Sequence, residues 1–308
     1  MIKKKAKVIF LTGPTAVGKS EAAVCLAKMI RAEIVSCDSM QIYKGMDIIT
    51  SKPPGRLRKR IKHHLIGLVP ASRDYDVSRF RRDALKKIRD IIKRGKVPLF
   101  VGGTGLYISM LVDGIFEFKV KDKRIRQRLY KVAQSKGSPY LYRKLKKADP
   151  QAADKIHPND LKRLVRALEV FEAAGRPISV LQKERRGLAG DYDVRIICLN
   201  MRRDKLYKRI NERVERMFKA GLLAEVKRLL KARLSRPASY AIGINEIKGY
   251  MESDYGLEEA KLLMKRNSRR YAKRQLTWFR KDKRIKWLNV KWGEKSGTLA
   301  LRILKKLS

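Results

Sequence analysis

The stretch Val8-Ile-Phe-Leu-Thr-Gly-Pro-Thr-Ala-Val-Gly-Lys-Ser20 sets the reading of this chain. A short apolar run, Val8 to Leu11, passes directly into Gly13-x-x-x-x-Gly18-Lys19-Ser20, and an Ala/Val/Leu-rich run from Glu21 to Ile30 follows. The order is strand, loop, helix, and the loop has the spacing of a phosphate-binding loop. Its glycines let the backbone through Pro14, Thr15, Ala16 and Val17 fold into a nest of N–H groups. That nest lies at the N-terminus of a helix starting near Gly18, so an anion meets amide donors and the positive end of a helix dipole. Lys19 adds a point charge, and Ser20 adds a hydroxyl for Mg2+. The loop alone does not say whose phosphates it holds.

Two further apolar runs end in residues that carry chemistry. Ala32-Glu-Ile-Val-Ser-Cys37 leads into Asp38-Ser39-Met40-Gln41-Ile42-Tyr43, and Val97-Pro-Leu-Phe-Val101 leads into Gly102-Gly103-Thr104-Gly105-Leu106-Tyr107. In a parallel sheet the loops at the carboxyl ends of strands line the ligand crevice. Asp38 and Thr104 are therefore expected on the edge that holds the phosphate loop, with small residues beside Thr104 that allow close approach. Arg56 to Lys62 reads as a basic segment. His63-His64 has no third ligand near it in sequence, and a structural role is expected. Asp76 opens a helix whose apolar residues Phe80, Ala84, Ile88, Ile91 and Ile92 follow the 3.6-residue period.

From about Phe116 the texture changes: Lys119 to Leu188 has no clear buried strand and reads as amphipathic helices punctuated by Pro139, Pro150, Pro158 and Pro177. Strand character returns at Val194-Arg-Ile-Ile-Cys-Leu199. Lys205 to Leu230 is one long helical pattern carrying Arg209, Arg213 and Arg216. The expected fold is α/β, a P-loop NTPase-like parallel sheet core with a helical insertion. Residues 1–117 and 192–308 form the core, and residues 118–191 form the insertion. Near the end, Tyr271-Ala-Lys-Arg-Gln-Leu-Thr-Trp-Phe-Arg280 interleaves basic and aromatic residues. It reads equally as a nucleic-acid surface and as a core-packing helix with Trp278 and Phe279 inward.

Among 308 residues, 76 are Lys or Arg and 30 are Asp or Glu, a formal net charge of +46. The basic residues recur from Lys3 to Lys306, so the charge belongs to the folded body, and a polyanionic partner follows. No apolar run approaches the roughly 18 residues of a membrane span, and no signal-peptide core follows Met1-Ile-Lys-Lys-Lys. A soluble, cytoplasmic protein without a membrane partner is expected. The 3 cysteines, Cys25, Cys37 and Cys198, have no metal-ligand spacing.

Five segments then carry a resemblance: Gly13 to Ser20; Ser36-Cys-Asp-Ser-Met-Gln-Ile-Tyr43 with Met46-Asp47 and Lys52-Pro53; Val101-Gly-Gly-Thr-Gly-Leu-Tyr107; His157-Pro-Asn-Asp160 with Arg163-x-x-Arg166-Ala-Leu-Glu-Val170; and Ala272-Lys-Arg-Gln-x-Thr-Trp-Phe-Arg280. Together, in this order, they resemble the tRNA dimethylallyltransferase family across nearly the whole chain. The resemblance implies that the loop binds the diphosphate of dimethylallyl diphosphate, with Mg2+ at Ser20. The prenyl group would go to the exocyclic amine of the adenosine immediately 3′ of the anticodon. It implies Asp38 as general base, Lys19 and Thr104 on the leaving diphosphate, and Arg209 and Arg213 as further phosphate clamps. Asp38, Ser39, Met40, Gln41 and Thr104 would contact the extruded base and its neighbours. Arg126 and Lys162, Arg163, Leu164, Val165 and Arg166 would contact the anticodon stem-loop, and a monomer is expected. One departure is visible: after Pro237 the family usually reads Ala-Ile-Gly-Tyr and then Lys or Arg, whereas here Ala241-Ile-Gly is followed by Ile244-Asn245. Two alternatives share the loop, an adenylate isopentenyltransferase and a P-loop small-molecule kinase, and neither has use for such a positive charge.

Overall fold

Residues 5–116 and 123–307 are described by this computed structural model. The chain forms two compact units, Met1–Val112 with Asp191–Ser308, and Asp113–Gly190. The expected boundary after residue 117 lies outside the described residues.

The first unit opens with β1 (Lys7–Thr12), α1 (Lys19–Met29), β2 (Ala32–Ser36), α2 (Gly55–Arg60), β3 (His63–His64), α3 (Val77–Lys93), β4 (Val97–Val101) and α4 (Gly105–Val112). The second unit is helical where it is described: α5 (Lys123–Lys136), α6 (Ser138–Ala148), α7 (Pro150–Ala153), α8 (Leu161–Ala174) and α9 (Ile178–Lys183). The first unit resumes with β5 (Asp193–Asn200), α10 (Arg203–Lys219), α11 (Leu222–Lys231), α12 (Arg236–Ser239), α13 (Ile244–Met251), α14 (Leu257–Phe279), β6 (Lys286–Asn289) and α15 (Ser296–Leu307).

The strands pair in the order β3-β2-β4-β1-β5-β6, every pairing parallel. The fold is α/β. Val8, Ile9, Phe10 and Leu11 are all buried, as a continuous apolar strand must be when helices cover both faces of a parallel sheet. Phe10 stacks on Phe100 of the neighbouring β4 with ring centroids 4.9 Å apart. On one face, Leu26 of α1 joins Leu299 and Ile303 of α15 in a core with Leu11, Leu99 and Ile197.

Three elements differ from the sequence expectation. The basic segment after Gly55 contains a short helix, and His63–His64 beyond it form an edge strand, because parallel pairing of Ile34 with His63 and Val35 with His64 supplies order that composition does not. Lys286–Asn289 is a strand although Lys286 and Asn289 are exposed, since it only has to cap the edge beside β5. The single long helix expected over Lys205–Leu230 is two, broken at Gly221, whose φ of 94° is left-handed and open to glycine.

His64 takes the structural part expected of it. Its Nε2 lies 2.7 Å from Glu33 Oε2, and Arg94 and Lys96 pair with the same buried carboxylate at 2.7 and 2.9 Å. Despite burial, these partners hold Glu33 down at about 2. No group of three His, Cys, Asp or Glu side chains that could cage a metal occurs among the described residues.

In the second unit, Leu141, Leu145, Leu164, Val165, Leu168 and Val170 build a separate core. Asp160 caps α8 by accepting the Arg163 amide, and Gly175 closes the helix in the left-handed region.

Candidate active site

Loops after β1, β2 and β4 leave the same edge of the sheet and are tied to one another. Gly102 N–H donates to Leu11 O (3.3 Å), Thr12 Oγ1 donates to Gly102 O (2.9 Å), and Cys37 N–H donates to Val101 O (2.8 Å). Gly102 is required here because a Cβ would sit 2.0 Å from the Cys37 carbonyl oxygen. Gly13, at φ 138°, presses against the β5 backbone, where a Cβ would meet Leu199 O at 2.5 Å.

The edge opens into a cavity of about 890 Å³ bordered by Lys19, Ser20, Asp38, Arg213 and Tyr271. Gly18 caps α1 with no side-chain hydrogen bond to the helix amides, which leaves those donors for an anion. Lys19 Nζ folds back onto the loop and donates to Gly13 O and Pro14 O, each at 2.8 Å. Burial pushes the Lys19 ammonium down to about 8, Asp38 resists that shift and Arg213 adds to it. Arg213 reaches the loop through Thr15 Oγ1 and donates from Nε to Ser51 Oγ at 2.8 Å. Its own acidity is raised by burial against the pull of Asp38. Arg209 donates to Val17 O at 3.3 Å. Val17 itself is fully buried.

Asp38 Oδ1 accepts the Met40 amide at 2.9 Å, while Oδ2 accepts no hydrogen bond from the described residues. Thr104 Oγ1 accepts the Ser39 amide at 3.0 Å, which joins the loop after β2 to the loop after β4. Tyr271 also hydrogen-bonds Thr104, and burial, with Asp38 adding, holds its phenol well above the usual range. Gln41 Oε1 accepts from Ser36 Oγ at 3.1 Å. Cys198 is pushed up to about 12 by burial and stays a neutral thiol.

A family profile described as IPP transferase matches residues 41–282. The chain belongs to the IPP transferase family. It is 47% identical over 286 residues to a tRNA dimethylallyltransferase of Geobacter sulfurreducens, covering 92% of both chains. Against the tRNA dimethylallyltransferase of Thermotoga maritima it is 44% identical over 287 residues, with 92% of each chain covered. The solved tRNA isopentenylpyrophosphate transferase of Bacillus halodurans superposes with a TM-score of 0.72 at 39% identity, covering 98% of this chain and 97% of that one. A eukaryotic dimethylallyltransferase acting on tRNA superposes with a TM-score of 0.81 at 30% identity, over 97% of this chain and 78% of that one. This kinship favours the family read from the sequence over the adenylate isopentenyltransferase and kinase alternatives.

The residues expected to meet RNA in the second unit divide. Leu164 and Val165 are 0% and 1% exposed in that unit's core, so neither side chain is presented to a partner, which corrects their placement at the RNA surface. The reason is helical phase: Lys162 and Arg163 are exposed, and the next two residues turn inward. Arg163 pairs with its own cap, Asp160, at 3.2 Å. Arg126 and Arg166 converge on buried Glu169 at 2.7 and 2.9 Å while keeping half of their side chains exposed. At the family departure, Ile244 is buried and only Asn245 faces outward.

Sequence reasoning missed Gln275. It is buried on α14, accepts the Thr15 amide at 2.9 Å and donates to Gly103 O at 2.9 Å, holding two loops at once. Its quoted segment was the only signal. On the same helix Phe279 packs inward, whereas Trp278 is 42% exposed and lies over Gly105. Glu225 of α11 was also unread; it accepts the amides of Asp47, Ile48 and Ile49 at 3.1, 2.9 and 2.9 Å and fixes a wall of the cavity.

Proposed function

We propose that this protein transfers the dimethylallyl group of dimethylallyl diphosphate to the exocyclic amine of the adenosine 3′-adjacent to the anticodon in tRNA, releasing diphosphate. The observation that carries this reading is one cavity bordered by both an anion-binding loop and a carboxylate with an uncommitted oxygen.

An adenine amine is a weak nucleophile because its lone pair is delocalised into the ring. As the C–N bond forms and the allylic C–O bond breaks, the amine proton passes to Asp38 Oδ2. A positioned base of this kind contributes about 10²–10⁴ in rate. Charge accumulates on the departing diphosphate, where the pre-placed loop amides meet it, joined by Lys19 and Arg213. Lys19 releases the carbonyls of Gly13 and Pro14 and turns its ammonium onto the anion. Thr104 holds the Ser39 amide and so fixes the loop that bears Asp38 against the loop after β4. The adenosine, coming from a loop, leaves its stack to enter the cavity, where Ser39, Met40 and Gln41 line its path.

Ser20 offers a hard hydroxyl oxygen beside the loop. That fits Mg2+, which takes most of its ligands from substrate phosphates and water rather than from a protein cage. When bound, the ion would neutralise charge on the diphosphate. In the second unit, Lys162, Arg163 and the Arg126–Arg166 pair would grip the anticodon arm.

Incubation with labelled dimethylallyl diphosphate and either tRNA or AMP, alongside ATP with hydroxyl acceptors, tests the reading. Label entering tRNA is expected; label entering AMP alone, or transfer of the ATP γ-phosphate, would overturn it.

A further inference from the structure

Outside the cavity, the flank of the phosphate loop carries a cluster that the reaction above leaves unused. Trp292 is 47% exposed in the turn after β6. Three cations of α10 surround its indole: Lys205 Nζ at 5.3 Å, Lys208 Nζ at 5.6 Å and Arg209 Cζ at 5.7 Å from the ring centroid. Their spacing puts them on one face of the helix, where like charges repel. The ring quadrupole offsets part of that repulsion. None of the three joins an ion pair with the described residues. Nearby acids are committed elsewhere, Asp204 to Arg202 at 3.3 Å and Glu294 to Arg302 at 2.7 Å. The patch therefore holds concentrated positive charge without an internal counter-charge.

Arg209 links this patch to the loop. The same guanidinium donates to Val17 O and would lie 3.6 Å from a Cβ on exposed Gly18, the residue that opens α1. We propose that Trp292, Lys205, Lys208 and Arg209 form an outer capture site for the diphosphate group, which takes up the incoming allylic diphosphate and passes it to the loop through Arg209. The proposal rests on the dimethylallyl transfer reading. Charge complementarity supports it, as does the site's extent: one indole and three side chains, continuous with the loop, suit a compact multivalent anion rather than a run of RNA phosphates. Such a patch raises the association rate by increasing the local anion concentration, an effect of about 10 to 10³ for well-focused fields that falls with ionic strength.

The decisive comparison is between wild type and Lys205→Ala/Lys208→Ala. At low salt the double variant should lose roughly 5- to 10-fold in kcat/KM for dimethylallyl diphosphate. Its kcat with both substrates saturating and its KM for tRNA should stay unchanged, and the two proteins should converge at high salt. A second arm needs no turnover. Inorganic diphosphate titrated into wild type should change tryptophan emission, and this component should vanish in Trp292→Phe. An unaltered kcat/KM, a loss borne by tRNA instead, or emission identical in wild type and Trp292→Phe would each overturn the capture site. Wild type that shows the emission change but transfers no prenyl group would indict the functional reading and leave the anion site standing.

Discussion

At Asp38 one carboxylate oxygen is held by the Met40 amide and the other is uncommitted, so an isosteric amide preserves the turn and removes the proposed base. Asp38→Asn should leave tRNA and diphosphate binding within a few-fold while turnover falls by roughly 10²-fold or more. Single-turnover kinetics with separately measured affinities check this, and near-normal turnover would contradict the assignment. Lys19 gives a pH signature. Burial lowers it to about 8 in the free site, and a bound diphosphate would restore its charge. Above about pH 8, binding must therefore take up a proton, and diphosphate affinity should fall by up to about tenfold per pH unit. Calorimetry in buffers of different ionisation enthalpy should register that uptake at pH 9 and little of it at pH 6.5. For the empty protein the sign is opposite: the unfolded chain holds more protons above pH 8, so this group's unfavourable contribution to stability fades as pH rises towards the ordinary lysine value.

At the scale of elements, the site depends on loops that are locked to each other rather than on any single motif. Gln275 joins the loop after β1 to the loop after β4, so Gln275→Leu leaves the partly buried Thr15 amide unpaired and strands the buried Gly103 carbonyl, the latter at a cost of about 1–3 kcal/mol. Thermal unfolding should register that loss, with a raised KM for the allylic substrate and unchanged tRNA affinity. Gly102→Ala puts a Cβ 2.0 Å from backbone that cannot yield, and should lower the unfolding midpoint more than the Gln275 change does. Equal stability of Gly102→Ala and wild type would show that these loops can separate. The strand ends bearing Asp38 and Thr104 were legible because a parallel sheet sends its ligand-facing loops to one edge. Gln275 was not, since it lies 260 residues from its Thr15 partner. The break at Gly221 was missed for a local reason: periodicity continues across it and only the left-handed φ ends the helix.

Taken as a whole, the molecule carries +46, and this excess is what a polyanion would sense first. Binding of tRNA should weaken with log salt at about 0.7–0.9 per phosphate contact. The second unit keeps its own core, so surface charge can be removed there without touching the catalytic cavity. Lys162→Ala/Arg163→Ala should flatten the salt slope by roughly one to two units while dimethylallyl diphosphate affinity holds. Arg166 is a poorer probe, because its bond to Glu169 makes its removal a change to the unit's packing as well. An unchanged slope in the Lys162/Arg163 variant would place the RNA elsewhere.

By itself the sequence determined what local chemistry can determine. Uninterrupted apolar runs mark strands buried on both faces, glycine spacing marks the phosphate loop, and the order of motifs marks the family. Side-chain direction and pairing between distant segments were decided only by the tertiary structure. Helical phase turned Leu164 and Val165 into a core while leaving Lys162 and Arg163 outside. Parallel pairing made an edge strand of His63 and His64. Burial set the acidity of Lys19, and packing of α14 against two loops gave Gln275 its place. The physical reason is common to all of them: hydrogen-bond partners, desolvation and phase depend on what lies across space, and a linear pattern carries that only where neighbours in space are also neighbours in sequence.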